Sequence, residues 1–99
     1  FLCSSWYEGL GLTAMEAMAC RCSLVTTDTG GCLEYATDGK TALVSASRDI
    51  SGLSQNLIRL LEDEALLESL SEHGYDKVNE YNWEESCDQL IGFFNESLV

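Results

Sequence analysis

A chain of 99 residues, 45% hydrophobic and 22% charged, has the composition of one globular unit with a single modest core rather than of a disordered segment. Its formal net charge is −12, with Arg21, Lys40, Arg48, Arg59 and Lys77 as the entire basic complement, a field that repels nucleic acid and anionic lipid. No apolar run approaches the roughly 18 residues that span a bilayer, so no transmembrane segment is predicted, and residues 1–5 lack the basic flank and the length of a signal peptide.

Three short β-rich runs stand out: F-L-C-S-S at 1–5, S-L-V-T-T at 23–27 and T-A-L-V-S at 41–45. Each is too short for a helix and lies near Gly, Asp or Ser turn residues. The first run begins with Phe rather than Met, which points to a piece of a longer protein. Between the first two runs, residues 10–20 place Leu12, Met15, Met18 and Ala19 at helical spacing. Gly30 and Gly31, followed by Glu34, shape the start of a short helix. After the third run come an apolar stripe of Leu53, Leu57, Ile58, Leu60 and Leu61, and a further helix through Leu66, Leu67, Leu70, Val78 and Tyr81 with Gly74 as a candidate interruption. The last helix opens at Asn82, with Glu85 three residues on in a capping-box pattern, and carries Cys87, Leu90, Ile91 and Phe94 on one stripe. Trp83 and Phe94 are expected to pack the last helices, and their apolar faces to be exposed and sticky in this fragment alone. Strands alternating with helices at short spacing predict parallel βαβ units. Three strands make half of a doubly wound, Rossmann-like α/β domain, here followed by two or three helices.

The five cysteines, Cys3, Cys20, Cys22, Cys32 and Cys87, are odd in number and irregular in spacing. They read as reduced, mostly buried thiols of a cytoplasmic protein. Cys20 and Cys22 with Cys3 or Cys32 lack both the spacing of a metal site and a nearby His, so no metal is expected. His73, in an acidic helical stretch, reads as a surface residue.

The chemistry concentrates in E-G-L-G-L-T-A-M-E, residues 8–16. A glycine-rich turn running from a strand into a helix offers unpaired N–H groups and a partial positive charge, which suit a phosphate. Gly9 and Gly11 let a ligand approach the backbone, with Glu8 before the turn and Glu16 about one turn into the helix. A glycosidase pair would have to face each other across one bond, about 5 to 10 Å apart, and would leave the turn without a purpose. Residues 9–14 also match the dinucleotide fingerprint G-x-G-x-x-G/A, with Asp28 ending the next strand where a ribose-binding acid would fall. Against that reading, Glu8 would stand beside the pyrophosphate and repel it.

The run S-S-W-Y-E-G-L-G-L-T-A-M-E-A-M-A-C resembles the E-x7-E signature of family 4 retaining glycosyltransferases of the GT-B fold. The likeness continues through L-V-T-T-D-T-G-G-C-L-E, D-G-K-T-A-L-V and Y-N-W-E-E, and covers residues 1–99 as the second half of the C-terminal, nucleotide-sugar-binding domain. The resemblance implies a three-stranded parallel sheet with flanking helices, a nucleotide-diphosphate sugar as donor substrate, and a carbohydrate, lipid or other acceptor. It implies no cofactor or metal. The partner in catalysis is the N-terminal domain of the same chain, and the location is cytoplasmic, with the cytoplasmic membrane face open to the full-length protein. It further implies that Glu8 holds donor-sugar hydroxyls and that the backbone at Gly9, Leu10 and Gly11 holds the sugar and its adjoining phosphate. The phosphates would meet the helix start at Leu12 and Thr13, and Glu16 would bind the ribose. Transfer would proceed with retention, and the fragment alone would be inactive. A glycosyltransferase-like binding module without activity is the alternative from a different functional class. Arg21 stands where the family commonly has glycine, Ser4, Ser23 and Leu33 where it often has proline, and Cys22 where Thr is common.

Overall fold

The computed structural model describes residues 1–98. Strands β1 (Leu2–Cys3), β2 (Val25–Thr27) and β3 (Leu43–Ser45) form a parallel sheet in the order β1-β2-β3. Leu2 stands opposite Val25, and Val25 opposite Leu43. The strands are shorter than the runs that predicted them, and hydroxyls in and beside them tie the sheet to its neighbours. Ser23 Oγ donates to the Leu67 carbonyl at 2.6 Å, Thr27 Oγ1 to that of Ser5 at 2.6 Å, and Thr41 Oγ1 to that of Tyr35 at 2.7 Å.

Strand alternation sorts the core onto two faces. Leu24 and Ala42 point to one side with Ala14 and Met18 of α1 (Leu12–Ala19), joined by Cys32 and Tyr35 from the 3₁₀ turn Gly31–Glu34 and its end. Their neighbours Val25 and Leu43 point to the other side, against Leu60 of α2 (Ile50–Glu62) and Leu70 of α3 (Glu64–Val78). The 3₁₀ turn bears out the short helix read at Gly30 and Gly31.

Helix α3 runs unbroken through Gly74, contrary to the expected interruption. A Cβ on Gly74 would lie 3.1 Å from Met18 Cε and 3.2 Å from the Thr41 carbonyl oxygen. The glycine therefore serves close packing of α3 on α1, at a helix-propensity cost of about 1 kcal/mol. Arg21 occupies a left-handed position, φ 65, with its N–H donating to Met18 and that of Cys22 to Ala17, both at 3.0 Å. This is a Schellman C-cap, in which glycine is the usual residue. Arg21 offsets the strain of about 1 kcal/mol by stacking its guanidinium 3.9 Å above the Tyr75 ring.

The final helix, α4 (Trp83–Ser97), starts as predicted at Asn82, whose side chain accepts from the N–H groups of Glu84 at 2.8 Å and Glu85 at 3.2 Å. It buries none of its residues: Trp83 is 83% and Phe94 55% exposed. Within this chain the two aromatics do not pack the last helices, and their apolar faces are exposed, as expected of the fragment alone. The radius of gyration, 15.5 Å, exceeds the roughly 13 Å of a compact 100-residue domain, as a helix with no buried face requires. The thiol expectation is also corrected. Cys32 is buried and Cys3 partly so, but Cys20 and Cys22 flank the exposed α1 C-cap and Cys87 lies on α4. All five are free thiols.

Candidate functional site

The chain leaves β1 and returns to the sheet edge at Glu8, whose N–H donates to the Thr29 carbonyl at 3.2 Å and which pairs with Gly30 in an isolated parallel bridge. This pairing fixes where the turn begins. The half-buried Glu8 carboxylate has Cys3 Sγ 3.8 Å from Oε2. Behind the turn, a Cβ on Gly31 would run into the Gly9 carbonyl, so Gly31 is where two backbones touch. Gly9 itself faces open space.

Gly11 begins α1 in the left-handed region, φ 81 and ψ 60, and no side chain caps the helix there. The N–H groups of Leu12, Thr13 and Ala14 precede the first intrahelical donor, Met15, which bonds to the Gly11 carbonyl at 3.3 Å. The other three helices differ. Asp49 accepts from Gly52 N–H at 2.9 Å, Asp63 from Leu66 N–H at 3.0 Å, and Asn82 caps α4.

Glu8, Gly9, Leu10, Gly11, Leu12 and Thr13 line one open cleft of about 600 Å³, and the remaining wall is Trp83. Six of the seven site residues read from the sequence therefore meet in one concavity. Glu16 is exposed on α1, outside that lining. It lies three and four residues beyond Thr13 and Leu12, on the same side of the helix. A narrower apolar groove of about 240 Å³ adjoins the cleft, between Leu10, Leu12 and Met15 and the Tyr81–Trp83 corner.

Tyr35, which belongs to none of the sequence motifs, reaches the turn from the core. Its ring is 1% exposed, and its hydroxyl donates to the Gly11 carbonyl at 3.2 Å. Burial, then the Cys32 and Cys3 thiols and the Glu8 carboxylate, push its pKa up to about 12, so the phenol keeps its proton at neutral pH. The signal in the sequence is a tyrosine four residues after Gly31 and followed by Ala36, since a buried Tyr hydroxyl needs a partner.

Trp6 and Tyr7, just before the turn, do not line the cleft. Trp6 lies under the Arg48 guanidinium at 4.2 Å, and Tyr7 is 82% exposed. Asp28, the acid of the dinucleotide reading, accepts from Gly30 N–H at 2.9 Å and shapes the turn opposite Glu8. His73 is exposed, as read. Among the described residues no three His, Cys, Asp or Glu side chains gather as a metal site, and no helix is long and apolar enough to cross a membrane.

Residues 1–77 match the family described as "Glycosyl transferases group 1". The chain belongs to that family. A glycosyltransferase of Methanocaldococcus jannaschii is 31% identical over 78 residues, which are 79% of this chain and 22% of that protein. The C-terminal domain of the group 1 protein LpcC from Francisella tularensis superposes with a TM-score of 0.73 at 30% identity, over 80% of this chain and 40% of that one. Sucrose-phosphate synthase from Thermosynechococcus elongatus gives a TM-score of 0.85 at 29% identity, over 98% of this chain and 25% of that one. This group 1 chain thus spans about a quarter of full-length relatives, and its α/β architecture is that of GT-B C-terminal domains.

Proposed function

We propose that this chain is the second half of the C-terminal, nucleotide-sugar-binding domain of a retaining glycosyltransferase, which moves a sugar from a nucleotide-diphosphate donor to an acceptor. The observation that carries the reading is the cleft lined by residues 8 to 13 at the start of α1, a helix without a side-chain cap. On this reading the donor diphosphate lies against the N–H groups of Leu12 and Thr13. The Gly9, Leu10 and Gly11 backbone holds the sugar and the phosphate beside it. Glu8 accepts hydrogen bonds from sugar hydroxyls, the only polarity an ionised carboxylate can serve, and Glu16, a turn further along, takes the ribose hydroxyls.

The chemical demand is to stabilise charge growing on the leaving diphosphate, for which oriented N–H groups in a fixed frame are suited. In transfer with retention the leaving phosphate helps to deprotonate the acceptor, and Glu8 positions the sugar rather than attacking it. The cleft lining contains no Lys, Arg or His, so the cations that neutralise a diphosphate come from other parts of the enzyme. The chain by itself does not transfer sugar.

The test is transfer by the full-length enzyme carrying Glu8→Ala or Glu16→Ala. Each should lower turnover about 100-fold or more, the scale for losing one group that orients or stabilises the reacting charge, with the fold intact by circular dichroism. Wild-type rates in both variants would remove the assignment.

A further inference from the structure

We infer that Tyr35 is a positioning residue of this site: its hydroxyl fixes the Gly11 carbonyl from inside the core and so aims the N–H groups of Leu12 and Thr13, leaving their outer side free for a nucleoside diphosphate. The inference rests on the donor-site reading above and goes beyond it by naming what holds the turn in place.

A helix start that is to receive an anion meets a conflict. A capping Asp or Asn occupies the N–H groups that the ligand needs, and an Asp adds repulsion as well. Gly11 avoids both problems, having no side chain, but it sits at φ 81 and is free to leave that conformation unless something restrains it. Tyr35 supplies the restraint from the opposite side. Its hydroxyl bonds to the Gly11 carbonyl at 3.2 Å, the same oxygen that takes the first helical N–H, from Met15 at 3.3 Å. The bond carries no net charge, and it approaches from the packed side.

Tyr35 is itself firmly held. Its ring packs with Ala14 and Met18 of α1. Its N–H donates to Cys32 at 3.1 Å, and its carbonyl accepts from Thr41 Oγ1 at 2.7 Å. The point where a Cβ on Gly11 would stand is 2.6 Å from Tyr35 Oη and 3.4 Å from Glu8 Oε2. The phenol, the glycine cap and the Glu8 carboxylate thus converge, and moving the phenol disturbs both halves of the donor cradle.

The experiment uses the full-length enzyme with Tyr35→Phe, which keeps the ring and deletes the hydroxyl. Tyr81→Phe is the control, because Tyr81 also donates to a backbone carbonyl, that of Glu34 at 3.0 Å, without lining the cleft. Glu8→Ala is run alongside. The readouts are the dissociation constant of UDP, GDP or ADP, whichever the wild type binds best, the KM for acceptor, and the thermal midpoint. Tyr35→Phe should weaken the diphosphate about fivefold to tenfold, the upper range for one hydrogen bond, with acceptor KM unchanged. Tyr81→Phe should leave the diphosphate constant alone. Wild-type diphosphate binding by Tyr35→Phe while Glu8→Ala is inactive would overturn the inference and spare the donor-site reading. An equal weakening of donor and acceptor would overturn it too, by showing a general structural role. Wild-type transfer by Glu8→Ala would overturn the reading and the inference together.

Discussion

Two helices begin at the rim of the same cleft and begin in opposite ways. At α4 the Asn82 carboxamide oxygen takes the N–H groups of Glu84 and Glu85, and both of those residues are acidic. At α1 the cap is Gly11, no side chain covers the helix start, and the first turn holds no acid. In a chain with 17 Asp and Glu residues, α2 and α3 are capped by Asp49 and Asp63, so α1 is the one α-helix among the described residues with no acid at its cap or in its first turn, the Glu8 carboxylate standing beside the cap rather than on it. Stability alone would favour the arrangement at α4. Its absence at α1 marks the place where partial positive charge stays available to something outside the fold.

The comparison can be broken most severely at Gly31, which serves α1's entry turn and has no counterpart at α4. Gly31→Ala drives a Cβ into the Gly9 carbonyl and should cost about 3 kcal/mol or more, read from the denaturant midpoint. A midpoint like that of the wild type would show that the turn is not braced there.

Next in size is the pH response of the cap from the core side. The Tyr35 pKa is raised from 10.0 to about 12, so the unfolded chain loses this proton first. The stabilisation is complete below pH 10 and is lost as pH rises through 12, with a total on the order of 2 kcal/mol. Tyr35→Phe should remove that segment of the alkaline stability curve, and a curve identical to wild type would contradict the burial of this phenol.

A sharper contrast comes from giving α1 the chemistry of α4. Thr13→Glu, at an exposed first-turn position, should raise stability by about 0.5 kcal/mol through the helix dipole while weakening nucleoside diphosphate binding about tenfold. If the two quantities move together, the idea that α1 trades stability for an open helix start is wrong. The smallest effect lies at the other helix. Asn82→Ala should cost about 1 kcal/mol and leave nucleotide binding unchanged; calorimetry with a binding titration checks both.

What could be read from the sequence follows the range of the forces involved. Strand and helix order are written in local patterns: L-V-T-T and T-A-L-V are short β-branched runs, and Asn82 announces a helix start through its own side chain. The turn at residues 8 to 13 was legible for the same reason, since glycines and helix starts are local features. The packing of Trp83 was not legible in local pattern, because burial is a property of the whole assembly of helices and α4 buries none of its described residues. The cysteines were misjudged likewise: Cys20 and Cys22 resemble core residues in type, but the left-handed cap at Arg21 turns that segment to the surface. Gly74 looked like a break because glycine has poor helix propensity, whereas its reason is Met18, 56 positions away in sequence. Tyr35 escaped because its bond spans 24 residues, a contact that no local pattern records.

The central claim is that the start of α1 receives a diphosphate and the other helix starts do not. The most direct measurement is an amide NMR titration of the chain with UDP, GDP and ADP, following the N–H signals at the starts of all four helices. The account predicts saturable shifts at Gly9 to Ala14 with one nucleotide series, and still signals at Gly52, Leu66, Glu84 and Glu85. Shifts spread evenly over the four helix starts, or none at Gly9 to Ala14 in a well-dispersed spectrum, would contradict it.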